Sequence, residues 1–188
     1  MFTNKSKPIK IMIVLFAFIV STVISYLFYK RLIVETNMFF SIVISFFITW
    51  AIIFFAFMIF QTFKYFRFPS NYYTKRKIET ELFFKLIGVP IFRKLLINSF
   101  FKYLNRRVYL KGKQGDRFII FIEETKQSET SHVISLVLTF GIQILLIIND
   151  RFYDFWMLLL FNVLFNLYPI LLQRRNRFLI EKRLGINK

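Results

Sequence analysis

A glutamate and the chain's single histidine stand three residues apart at Glu129 and His132, a separation that on a helix leaves their side chains within about 60° of each other. A carboxylate so placed can orient an imidazole and stabilise its charged form. Such an imidazole can remove the proton of a substrate hydroxyl during group transfer. The same pair also reads as an interfacial histidine beside a surface carboxylate, with no chemistry attached. Glu-x-x-His occurs in carboxylate-bridged di-metal bundles as well, but that design needs a second histidine motif. With one histidine and no cysteine, this chain is expected to hold no metal and no bound cofactor.

Glu124, Thr125 and Lys126 lie just upstream of that pair, and a second polar cluster, Gln173-Arg174-Arg175-Asn176-Arg177, follows a distant apolar stretch. Helical spacing puts Asn162, Asn166, Gln173 and Arg177 on one side of an otherwise apolar helix. Amides in such a stripe can bond one helix to another, and the arginines alone read as a basic stop signal contacting lipid phosphates. Pro169 lies at the edge of the stripe. Because it lacks a backbone N–H, it should kink the helix or free a carbonyl there. Other chemistries have no footing: there is no Gly-rich phosphate loop, no G-x-S-x-G elbow, and no His followed four residues later by Asp.

The elements that must position these residues are apolar and long. Of 188 residues 56% are hydrophobic, 28 are phenylalanine, and mean hydropathy is +0.53, more apolar surface than a soluble domain of this size can bury. Four runs are expected to span a bilayer: 11–29, 38–60, 133–148 and 155–172. The short connections 30–37 and 149–154 make the four helices two antiparallel hairpins, so the fold class is all-α integral membrane with a single domain over 1–188. A helix is expected to begin near Asp116 and to run without Gly or Pro through Glu124 and His132 into the third span.

Between the hairpins, 61–131 carries 15 of the 27 basic residues and six acidic ones. Within it, 78–87 and 91–104 show apolar side chains at three- and four-residue spacing with basic residues interspersed, and Gly88-Val89-Pro90 separates them. Two short helices lying in the membrane interface fit that pattern. Residues 111–116 read as a turn. Lys and Arg number three in the N-terminal tail, 15 in the middle and six in the C-terminal tail, against two and one in the short loops. By the positive-inside rule both termini and the middle segment are expected on the cytoplasmic side of the plasma membrane. The formal charge of +17 flanks apolar spans instead of forming a basic domain, so anionic lipid headgroups, not nucleic acid, are the expected partners.

Glu124-Thr125-Lys126, Glu129 and His132, followed by Asn166 and Gln173-Arg174 with Asn176-Arg177, resemble the paired motifs of the glycosyl-4,4'-diaponeurosporenoate acyltransferase family. That family shows E-T-K/R, a second Glu and a His at the same offsets, and later N and Q-R-x-N-R. The resemblance covers roughly 82–180, with Pro169 one residue displaced and Arg175 where the family has Tyr. It implies a membrane enzyme that moves a fatty acyl group from a thioester, such as acyl-coenzyme A, to a sugar hydroxyl of a carotenoid glycoside or similar glycolipid. Carried over residue by residue, it makes His132 the base and Glu129 its orienting partner. Glu124, Asn166, Gln173, Arg174, Asn176 and Arg177 become substrate-binding groups, with Arg174 and Arg175 meeting coenzyme A phosphates. The alternative is a non-catalytic membrane scaffold or lipid-binding protein whose polar clusters only hold helices and headgroups.

Overall fold

The computed structural model describes residues 38–62, 68–98 and 116–185, with four isolated helical positions at Ile19, Val23, Tyr26 and Lys30. The expected span 11–29 and the turn at 111–116 therefore fall outside the described residues, apart from those positions and Asp116. Every regular element among the described residues is helical: α1 (Met38–Thr62), a 3-10 turn (Ser70–Tyr73), α2 (Glu81–Leu86), α3 (Val89–Asn98), α4 (Asp116–Ile148), α5 (Phe152–Asn162), a π-helical turn (Val163–Leu167) and α6 (Tyr168–Arg183). Three stretches are long and apolar enough to cross a bilayer, Met38–Met58, Phe118–Ile148 and Phe152–Arg183. The four-helix arrangement of two hairpins is thus represented by three candidate spans. The last of these runs past the expected end at Leu172, because Gln173 to Arg183 continue as helix.

The chain divides into two compact units, 1–65 with 131–166 and 66–130 with 167–188. In the first, α1 reads as a spanning helix because 25 residues at 1.5 Å rise exceed the roughly 30 Å of hydrocarbon. Its buried positions include Ser41, Ser45 and Thr49, small residues four apart that let a neighbouring helix approach closely. Thr49 returns its hydroxyl to the Ser45 carbonyl at 2.8 Å, so no polar group is stranded there. Ile48, Leu146 and Leu158 form the apolar centre, and Phe46 meets Phe161 and Phe165 edge-on at 5.8 and 5.7 Å.

The second unit is built on the short helices. Thr80 caps α2 by accepting from the Phe83 N–H at 3.1 Å, and Glu81 follows in the first turn, where a negative charge opposes the helix dipole. Gly88 sits at φ +78°, a conformation that favours glycine, and it separates α2 from α3. Val89 and Pro90, expected in the connection, instead open α3, since proline in a first turn forfeits no helical hydrogen bond. Phe84 and Val89 bury against Leu172 of α6, with Phe92 and Tyr168 around them, and the Tyr168 hydroxyl donates to the Ile87 carbonyl at 3.1 Å. Burying Phe84 contributes on the order of 2 kcal/mol.

Candidate active site

The long helix α4 forms as expected; its buried polar positions include Thr125 and Glu129 in one unit and Ser131, Ser135, Thr139 and Gln143 in the other. Four-residue steps bring the positions within each set to one side of the helix. Single hydroxyls and an amide at such spacing look like ordinary membrane-helix composition, which is why Ser135, Thr139 and Gln143 did not stand out in the sequence.

In the unit containing Glu129, that carboxylate is 0% exposed and both its oxygens are engaged. Arg174 Nη1 donates to Oε1 at 2.8 Å and Arg177 Nη2 to Oε2 at 2.6 Å. Arg174 is also forked onto Glu79, with Nε at 2.5 Å and Nη2 at 3.1 Å from its two oxygens. Its remaining donations go to the backbone carbonyls of Tyr72, at 3.3 Å, and Thr74, at 3.2 Å. A guanidinium has five N–H donors, and five acceptors meet it here. Two carboxylates and two guanidiniums balance formally, and charge-assisted bonds of this kind are what allows them to be buried together.

Two tyrosines close the cluster. The Tyr72 phenol bonds the Glu129 carboxylate, and its acidity is weakened first by burial and then by the negative charge of Glu129, so it stays protonated and donates. Tyr73 pairs its hydroxyl with Thr130 and offers its ring to Arg177, whose guanidinium carbon lies 5.4 Å from the ring centre. Arg177 Nη1 and Asn176 Nδ2 are buried with no partner. Arg177, Tyr73, Lys75 and Phe178 line a small cleft together with Glu79 and Glu181.

In the unit containing His132, the polar groups form a directed chain. Asn162 donates to Gln143 Oε1 at 3.4 Å and to the Leu136 carbonyl at 3.3 Å, Asn166 donates to Asn162 Oδ1 at 2.8 Å, and His132 Nδ1 meets Asn166 Oδ1 at 3.3 Å. Because Asn166 turns its Nδ2 toward Asn162 Oδ1, it presents its own oxygen to the ring. Oxygen can only accept, so Nδ1 carries the proton and a neutral imidazole keeps its lone pair on Nε2. The backbone carbonyl of Phe165 is a further acceptor at this ring. In an α-helix that carbonyl would take the N–H of residue 169, which is proline, and the chain winds into the π turn at this place.

These placements revise several expectations. Glu129, expected to orient His132, gives its oxygens to arginines and a phenol, while the imidazole is held by Asn166. Arg174 has no donor left for a coenzyme A phosphate, and Arg175 is tied to Glu81 at 2.5 Å. Gln173 and Asn176 are buried as part of α6, and Glu124 is half-buried on α4. Glu79, Tyr72, Tyr73 and Gln143 were not anticipated. Charge balance could have found Glu79: two buried arginines need carboxylates, and the basic stretch 75–94 contains only Glu79 and Glu81.

The family model for glycosyl-4,4'-diaponeurosporenoate acyltransferase matches residues 69–185, well over half of the chain and every residue of the two networks. The chain belongs to that family. No curated protein and no solved structure matches it. The family's name describes an acyltransferase, and the three apolar helices mark a membrane protein, in keeping with the resemblance carried by Glu124 to His132 and Asn166 to Arg177.

Proposed function

We propose that this chain transfers a fatty acyl group from a thioester to a hydroxyl of a glycosylated carotenoid or related glycolipid in the membrane, with His132 as general base. The observation that carries the reading is the amide chain behind the imidazole, whose Asn166 oxygen 3.3 Å from Nδ1 favours a proton there and a basic Nε2. In the reaction the acceptor hydroxyl attacks the thioester carbonyl and its proton passes to Nε2. The tetrahedral intermediate then collapses, the carbon–sulfur bond breaks, and the imidazolium returns the proton to the departing thiolate. Nothing in this sequence needs a redox partner.

Asn176 and Arg177 each keep an unspent donor, the property required of groups that hold a polar headgroup. Glu129, Glu79 and Arg174 act on this reading as the frame that holds Arg177. Confinement of a lipid-like acceptor and a long-chain donor to one membrane raises their encounter frequency, so orientation and one base suffice. The acidic and basic groups of that frame are also what a scaffold would use. An unsatisfied donor on Arg177 favours the enzyme, because a scaffold gains nothing by leaving it unpaired.

The test is to express the chain in cells that make a glycosylated carotenoid but no acylated form, and to analyse pigment and lipid extracts. Acylated glycoside appearing only with the chain supports the assignment. Unchanged extracts, with the protein present in membranes, would remove it.

A further inference from the structure

The helix pair α2–α3 has two apolar faces, and only one is covered. Phe84 and Val89 are taken up by Leu172 of α6. Ile78, Leu82, Leu86, Ile91 and Leu95 point elsewhere, each leaving 65–78% of its surface exposed. Leu82 and Leu86 are one helical turn apart, as are Ile91 and Leu95, so the five aliphatic side chains come from consecutive turns of two short helices and the strand of chain before them. A surface bathed in water rarely gathers so many large aliphatic groups.

The rim of this face is basic. Residues 68–98 hold six Lys and Arg against two acids, and both acids are already committed, Glu79 to Arg174 and Glu81 to Arg175. Lys75, Lys77, Lys85 and Lys94 are exposed. The pair is seated on α6, which continues the candidate span Phe152–Arg183.

We infer that α2–α3 is a membrane-docking platform that sinks Leu82, Leu86, Ile91 and Leu95 into the headgroup–acyl boundary of an anionic leaflet, with the lysines on lipid phosphates. Amphipathic helices with basic borders bind such surfaces by combining apolar burial with attraction to anionic headgroups. A second copy is disfavoured because it would set two basic rims against each other. The inference does not rest on the acyl-transfer reading and fails or stands separately from it.

Absence of cysteine makes the experiment direct. Leu86→Cys and Leu95→Cys, introduced singly into the full chain, are labelled with an environment-sensitive fluorophore and placed in nanodiscs containing phosphatidylglycerol. Iodide should quench both labels at least about fivefold less than the free label, while a nitroxide carried on the lipid quenches them strongly. Replacing phosphatidylglycerol with phosphatidylcholine should weaken the shielding, since the lysines lose their counter-charge. Free access by iodide would put the face in water, and shielding from iodide without quenching by the lipid nitroxide would put protein over it. Either result overturns the platform, and shielding unchanged in phosphatidylcholine overturns the role of the lysines.

Discussion

His132 owes its poise to neighbours that are not ionisable. Its Nδ1 is met by Asn166, Asn166 is anchored by Asn162, and Asn162 by Gln143, so the ring is held by a run of amides within one unit. Replacing Asn166 with Leu removes the acceptor at Nδ1 and frees the ring to turn. Product formation should fall roughly tenfold with protein level retained, about the worth of one buried hydrogen bond. Gln143→Leu should give a smaller loss of the same kind. At Glu129 the expectation is different, because the carboxylate neutralises two buried guanidiniums. Glu129→Gln should destabilise the protein by about 3–5 kcal/mol, read as a lower melting temperature in detergent. Glu129→Gln combined with Arg177→Met should recover part of that loss, since the two charges are then removed together.

At the scale of elements, the π turn Val163–Leu167 separates the amides of α5 from the arginines of α6. Pro169→Ala restores a backbone donor to the Phe165 carbonyl and lets the helix run as regular α, so that this donor competes with the His132 ring for the carbonyl. Stability should hold or rise while acyl transfer drops, a split that assays of melting temperature and product would read separately. Much of this architecture was legible beforehand. Hydropathy located three of the four expected spans, the remaining one lying outside the described residues apart from isolated positions. The absence of Gly and Pro between Asp116 and His132 indicated the unbroken helix, and Pro169, expected to kink the helix or free a carbonyl, lies just after the π turn. What the Glu129 and His132 side chains would touch was not legible. Spacing of three on one helix says the two are neighbours in angle, but each turned to a partner about 34 to 48 residues away along the chain, and such pairings depend on tertiary packing. Glu79 escaped notice for the same reason, lying 95 residues from Arg174.

For the molecule as a whole, three helices among the described residues are long and apolar enough to cross a bilayer, which predicts that it partitions with membranes. The protein should stay in the membrane pellet through alkaline carbonate washing, and release by that treatment would contradict integral insertion. From the uneven spread of basic residues, 15 in 61–131 and six after Leu172 against three in the two short loops combined, we propose that the C-terminal tail is cytoplasmic. A reporter active only in the cytoplasm, fused after Lys188, should therefore be active, and one active only outside should be silent.

The central assertion is that an imidazole steadied by amides removes the acceptor's proton, and the most direct measurement is the acylated glycoside content of membranes carrying His132→Ala beside the unaltered chain at matched protein level. Loss of a general base typically costs about 10²–10⁴-fold, so product should become undetectable or nearly so. Product at the unaltered level would show that His132 takes no part in the chemistry.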